Sequence, residues 1–474
     1  MIAPNTPVEE IDRIYALQKK HKPVVARTSY RERVEKLQKL LDTVRDRTRE
    51  IHEAIYKDFR KVAQEADITE VIPVIGELND AIKNLKDWMS PKSVDTPLPL
   101  LGSQSKVYFE PKGQALIIAP WNYPFNLSIS PIIGAIAAGN TMIVKPSEYA
   151  AHTSALLKDL LKIFPEEEVA VIEGDASVSG HLLSLRYDHI FFTGSVEVGR
   201  IVMQAAAKYL TPVTLELGGK SPVIVDEYCD FKEMVKKICW GKFINCGQTC
   251  VAPDYILLPK NKLDDFRNLI RTTLTEVYGK EGERHLSPDY ARLINERQFN
   301  RIQGLLNEAL EKGAEIIAGG QTLAEEKFVS PTVLYNAPAD SRIMNEEIFG
   351  PLLPVVLYET IDEALEYVNR KEKPLALYIF SNREYTIQKV LQETSAGGTC
   401  INDVVIHLVN PDLPFGGVGE SGMGNYHGYY SFRAFSHERA VLRQSSPVNT
   451  IQLLYPPYKA TIKILAKDVI KNLV

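Results

Sequence analysis

Cys250 closes the string Gly247-Gln248-Thr249-Cys250, and Glu216 stands upstream in Leu215-Glu216-Leu217-Gly218-Gly219-Lys220. A thiol among small and polar residues and a carboxylate ahead of a Gly-Gly turn are the two groups covalent catalysis needs, a nucleophile and a base. A cysteine thiol ionises near pH ~8.5, so only a few per cent is thiolate at neutral pH unless a positive neighbour, a helix N-terminus or a base assists. Read alone, the same string fits a buried structural cysteine on a helix, and Glu216 fits a charged residue ending a strand.

Composition narrows the alternatives. The chain has 474 residues, is 45% hydrophobic and 24% charged, and carries a formal net charge of -5, so it can build two or three domains. That charge argues against broad electrostatic attraction to nucleic acid, which usually needs a clustered basic face, and no nucleic-acid partner is expected. The five cysteines form no regular framework, and no secretory leader is read at the N-terminus, which favours a reducing cytoplasm. Cys246 and Cys250 are spaced to share one helical face, but tetrahedral zinc needs further ligands and none lies nearby; no metal is expected. The apolar tract 114–139 is interrupted by Pro120, Pro124 and Pro131 and reads as strand, turn and helix, not as a transmembrane segment.

The elements that must position these residues follow from hydrophobic periodicity. Val34, Leu37, Leu41, Val44 and Ile51 give the charged stretch 30–59 one buried helical stripe. A loop-like run over 90–105 precedes a strand at 106–109. Apolar runs at 115–119, 141–144, 169–172, 189–192 and 213–217 alternate with helical stretches, as in a parallel sheet wrapped by helices. Ligands of such sheets bind beyond the carboxyl ends of the strands. The residues there are Trp121-Asn122, Lys145-Pro146-Ser147-Glu148, Thr193-Gly194-Ser195 and Glu216. A second series, with strands at 222–225, 255–258, 355–358, 377–380 and 399–402 and a helix at 231–243, reads as a second α/β domain. The glycine-rich stretch 415–424 lacks the Lys-Ser/Thr ending of a phosphate loop and reads as a structural loop.

In order along the chain, Pro120-Trp121-Asn122-Tyr123-Pro124, Lys145-Pro146-Ser147-Glu148, Phe192-Thr193-Gly194-Ser195, Leu215-Glu216-Leu217-Gly218-Gly219-Lys220, Gly247-Gln248-Thr249-Cys250 and Glu346-Glu347-Ile348-Phe349-Gly350-Pro351 resemble the aldehyde dehydrogenase superfamily, over about residues 30 to 440. The early start resembles the class 3, or fatty aldehyde, branch. The resemblance implies an α/β fold with a Rossmann-like cofactor domain (1–94 and 112–217), a catalytic domain (218–418), bridging arms (95–111 and 419–444) that pair subunits into a homodimer, and a C-terminal tail helix (445–474). It accounts for a cofactor domain without a GxGxxG fingerprint.

The resemblance also implies roles. Cys250 is the nucleophile, Asn122 and the Cys250 main chain steady the alkoxide, and Glu216 activates the water that hydrolyses the thioester. Burial would raise the Glu216 pKa toward neutrality, suiting it to a base. Lys145 and Glu148 face the adenosine ribose, which favours NAD while leaving NADP open. Gly194, Ser195 and Gly199 open a helix toward the pyrophosphate, Glu347 and Phe349 meet the nicotinamide ribose and ring, and Trp121 lies in the cofactor set.

The reaction so implied is oxidation of medium or long aliphatic, or aromatic, aldehydes to carboxylic acids. A coenzyme A-acylating enzyme is the nearest alternative, and Glu216 speaks against it. A cysteine hydrolase or esterase would need a histidine partner, and none of the 9 histidines stands in a recognisable context. In the tail, Ile462, Leu465, Ala466, Val469, Ile470 and Leu473 share one helical face, with Lys459, Lys463, Lys467 and Lys471 largely opposite. Such a helix fits peripheral membrane contact or, as in fatty aldehyde dehydrogenases, a cap over the substrate funnel.

Overall fold

Two parallel sheets carry the chemistry-bearing strand ends. In this computed structural model the described residues are 5–97, 100, 102–444, 455–458 and 464. The tail helix and its capping or membrane role therefore lie, but for those last few residues, outside the described ones.

The first sheet has six strands in the order Gly422–Met423, Val213–Glu216, His189–Thr193, Gln114–Ile118, Thr141–Lys145, Val169–Val171. From Gln114–Ile118 the chain winds outward through the 141 and 169 strands, then returns to the opposite side through the 189 and 213 strands. Loops leaving adjacent strands in opposite directions open a crevice at that switch point, beyond residues 118 and 193. The five parallel strands are buried, as continuous apolar runs flanked by helices require.

The second sheet has seven strands in the order Glu315–Ala318, Thr332–Tyr335, Leu352–Tyr358, Tyr255–Pro259, Pro222–Val225, Ala376–Phe380, Gly398–Ile401. All but the first are parallel to their neighbours. A third, antiparallel sheet joins Lys92–Val94, Ser103–Pro111 and Ser436–Gln444, the long pair running in register from Ser436 opposite Pro111 to Gln444 opposite Ser103.

Several elements depart from the sequence reading. The stretch 30–59 is two helices, Tyr30–Asp46 and Thr48–Phe59, parted at Arg47 (φ -104, ψ 15). One non-helical residue barely rotates the buried stripe, so periodicity alone does not reveal the break. The supposed loop 90–105 contributes strand residues at both ends, 92–94 and 103–105. The glycine-rich stretch is structural, as expected, but it enters the first sheet: Gly422 pairs with Glu216 and Met423 with Leu215. It thus backs the strand that presents the candidate base.

Candidate active site

The helix Phe231–Phe243 ends ahead of the cysteine motif, and Asn245, Cys246 and Gly247 then take left-handed backbone angles (φ 54, 55 and 73). Cys250 follows in a turn. The helical face on which Cys246 and Cys250 would sit together does not exist, because the left-handed residues break the helix before it reaches Cys250. Gly247 is obligatory for a second reason: a Cβ there would lie 2.3 Å from the Gly350 carbonyl oxygen. The Tyr123 hydroxyl shares a 2.6 Å hydrogen bond with Thr249 Oγ1, tying the strand-end loop to the cysteine turn.

A polar cleft at the switch point is lined by residues from five separated motifs, among them Trp121, Asn122, Gly194, Ser195, Glu216, Cys250, Glu347 and Phe349. Glu216 ends its strand 3% exposed, and neither carboxyl oxygen has a hydrogen-bond partner. Burial raises its pKa well above the usual carboxylate range. Burial also pushes the Cys250 thiol up to about 12, and the nearby carboxylates of Glu347 and Glu216 add to the rise. The environment therefore does not supply the positive neighbour or helix N-terminus that would ionise the thiol, and a base must take its proton. Glu347 is itself raised to about 8, first by burial and then by Asp254. The Asn122 side chain donates to the Gln248 carbonyl at 3.1 Å, which holds its amide at the cysteine turn.

The cofactor-related residues fall into two sets. Ser195 caps the helix Val196–Ala207 by accepting from Val198 N at 3.4 Å, and Gly194 N donates to the Glu216 carbonyl at 3.0 Å. Gly199 lets this helix approach the next strand's end, since a Cβ there would lie 2.7 Å from Leu217 Cδ2. The helix N-terminus thus faces the cleft with its dipole and free N–H groups, a seat for an anionic group. Trp121 and Phe349 meet edge to face, with ring centroids 5.2 Å apart. Thr193 Oγ1 and Glu347 Oε1 are buried without partners at the same cleft, polar atoms that a bound nucleotide's hydroxyls would satisfy. The residues present therefore fit a dinucleotide. Lys145 and Glu148 stand apart from this lining; they pair with each other at 2.8 Å at the end of the strand Thr141–Lys145.

On its far side Cys250 lines a second, apolar recess, with Leu127, Trp240, Ile244, Val251, Ile406, Val409, Phe415 and Tyr426 among its walls. Its outer residues are open to solvent, Val409 being 67% exposed.

Sequence reasoning missed the residues that hold the 346–351 motif. Arg301, on the helix Glu296–Glu311, donates to the Ile348 carbonyl at 2.6 Å and the Glu347 carbonyl at 3.3 Å. Lys220 pairs with Asp254 and donates to the carbonyls of Ile343 and Glu346, both at 2.8 Å. Asp254 Oδ2 in turn accepts from Ile348 N at 2.9 Å. Also missed is the buried Lys61–Glu70 pair (2.9 Å), whose carboxylate accepts from Phe125 N at 2.9 Å beside the Asn122 loop. No metal-holding cluster of His, Cys, Asp and Glu occurs among the described residues.

A parallel-sheet crevice with a cleft-lining cysteine between a polar seat and an apolar recess defines a nucleotide-dependent enzyme of the covalent type. The family model described as the aldehyde dehydrogenase family matches residues 2–441, and the chain belongs to that family. It is 46% identical over 441 residues to a 4,4'-diaponeurosporen-aldehyde dehydrogenase of Staphylococcus aureus, covering 93% of this chain and 95% of that one. It is 44% identical over 427 residues to aldehyde dehydrogenase family 3 member A2 of Rattus norvegicus, covering 90% and 87%. Among solved structures, the substrate-bound state of Staphylococcus aureus AldH superposes with a TM-score of 0.93 at 44% identity, covering 97% of this chain and 99% of that one. The NAD+ complex of a Mycobacterium tuberculosis aldehyde dehydrogenase superposes with a TM-score of 0.84 at 26% identity, covering 93% and 91%.

Proposed function

We propose that this chain performs its family's aldehyde oxidation through Cys250, Asn122 and Glu216, with NAD or NADP in the polar cleft and a medium or long aliphatic, or an aromatic, aldehyde in the apolar recess. The observation that carries the reading is that Cys250 and Glu216 line both cavities at once. A carbonyl carbon at the sulfur then has its chain in the apolar walls and its reacting face toward the polar side.

The Cys250 sulfur adds to the aldehyde carbon as its proton leaves to a carboxylate, and the carbonyl oxygen becomes an alkoxide. The Asn122 amide has two N–H groups; one is held by Gln248, and the other is free to meet that oxygen. The nicotinamide, when bound, supplies the acceptor for the hydride that leaves the tetrahedral adduct. The acyl group remains on Cys250 as a thioester. Glu216, unpartnered and with a raised pKa, takes a proton from water, whose oxygen attacks the thioester and releases the acid.

NAD(P) use is supported by the NAD+ complex of the Mycobacterium relative and by the helix N-terminus at Ser195, with Glu347 placed for a ribose. Glu148 suits the adenosine ribose hydroxyls, and its partner Lys145 tempers the repulsion of a 2'-phosphate, which keeps NADP within reach. The first sheet with its helices forms the cofactor domain, the second the catalytic domain, and the third the bridging arm. A homodimer is supported by the arm strand Ser436–Gln444 and by the exposed apolar side chains Val198 (41%) and Ile201 (53%) on the helix Val196–Ala207. A cytoplasmic setting is favoured by five free thiols. No described helix is long and apolar enough to cross a membrane.

The cysteine hydrolase alternative loses ground. His427 lines the recess with Glu77 3.6 Å from its ring, but among the described residues no histidine is hydrogen-bonded to the Cys250 sulfur, the contact such a mechanism requires. The test is to mix purified protein, NAD and decanal and follow reduced cofactor with and without coenzyme A. Reduction without coenzyme A is expected; strict dependence on it would favour the acylating reaction, and no reduction by either route would overturn the proposal.

A further inference from the structure

Asn245 sits where the oxyanion loop and the cysteine turn meet. Its Nδ2 donates to the Asn122 carbonyl at 2.8 Å and to the Gln248 carbonyl at 3.1 Å, and Asn122 Nδ2 donates to that same Gln248 carbonyl at 3.1 Å. Both acceptors are carbonyl oxygens, which cannot donate, so the orientation of the Asn245 amide is fixed by its surroundings. Its main-chain N–H donates to Glu65 Oε1 at 2.8 Å, from the helical segment Ala63–Ala66 beyond the cofactor sheet. Gln248 closes the circuit, its Nε2 donating to the Asn245 carbonyl at 2.9 Å and its Oε1 accepting from Ile294 N at 3.0 Å. Asn245 holds a left-handed conformation, which asparagine adopts more readily than most residues.

We infer that Asn245 is a positioning residue that sets the Asn122 amide relative to Cys250. It joins the two main-chain segments that carry them, and it presents Gln248 O as the acceptor that orients Asn122 Nδ2. This rests on the reading of Asn122 as the donor to the alkoxide. Asn245 is not among the residues lining either cavity, so its effect on rate passes through the placement of the Asn122 amide.

A double-mutant cycle on kcat tests it, because residues that act as one unit are not additive. Asn245→Gly is compatible with the left-handed backbone and removes the side chain with its amide. It is expected to lower kcat about tenfold or more with the KM for NAD within about twofold, while Asn122→Ala/Asn245→Gly falls no more than about threefold below Asn122→Ala alone. Losses that multiply would overturn the inference, since a merely structural role loosens the fold regardless of Asn122. If the glycine variant does not fold, Asn245→Asp serves in the cycle: it tolerates the same backbone and presents acceptors where two donors are needed. An Asn122→Ala enzyme with unaltered kcat would remove Asn122 from catalysis and this inference with it; a slow Asn122→Ala with an additive cycle would remove the inference alone.

Discussion

Cys250 and Glu216 are shared by the polar cleft and the apolar recess, and burial, followed by the carboxylates of Glu347 and Glu216, holds the Cys250 thiol protonated. In the proposed mechanism the nucleophile is thus quiet until a base removes its proton, at the junction of the two cavities. That arrangement protects a thiol from adventitious chemistry at neutral pH.

Glu347 adds to this restraint, and its removal has a definite sign. Its carboxyl titrates at about 8, so above that pH its negative charge raises the thiol pKa. Below that pH it is neutral and has no such effect. Glu347→Gln should therefore shift the pH profile of Cys250 alkylation by iodoacetamide toward lower pH by about one unit. The rates of variant and parent should converge on the acid side. A profile displaced to higher pH would contradict the assignment.

Asn122→Ala removes the side-chain donor proposed for the alkoxide. The expected loss is about 3 kcal/mol, or roughly a hundredfold in kcat. Thermal unfolding and NAD binding, followed by fluorescence, should stay near the parent's. A variant with normal kcat and a raised KM would make Asn122 a ground-state binding residue instead.

The apolar recess predicts chain-length selectivity. Ile406, at its rim and 45% exposed, can be made charged without opening the core. Each buried methylene contributes about 0.8 kcal/mol, and Ile406→Asp removes a wall that two or more of them would cover. The value of kcat/KM for decanal should fall about tenfold or more, with that for propanal nearly unchanged. Equal losses for both aldehydes would place the chain elsewhere.

How much of this was legible follows from the kind of signal each feature leaves. Buried parallel strands are continuous apolar runs, so those ending at Ile118, Lys145, Thr193 and Glu216 could be placed, and with them the residues just beyond. The six motifs gave Cys250, Glu216 and Asn122 their candidate roles before any geometry was known. The left-handed turn at 245–247 was not legible, since only Asn245 and Gly247 hint at it and Cys246 does not. Glu65, Glu70 and Arg301 lie on helical segments, and Lys61 in the short stretch between two helices, all far from the motifs in sequence. Glu65, Glu70 and Arg301 meet main-chain groups, which leave no pattern of side-chain types, and Lys61 meets Glu70 at a spacing that no motif marks. The high thiol pKa comes first from burial and then from the carboxylates of Glu347 and Glu216, and only the fold sets either.

The most direct measurement is a rapid-mixing experiment on Glu216→Gln with NAD and decanal, followed by mass analysis of the quenched protein. A burst of reduced cofactor approaching one equivalent per active site is expected, with slow turnover afterwards and one decanoyl group mapped by peptide digestion to Cys250. Undiminished steady-state turnover, or an acyl group on any other residue, would contradict the proposed mechanism.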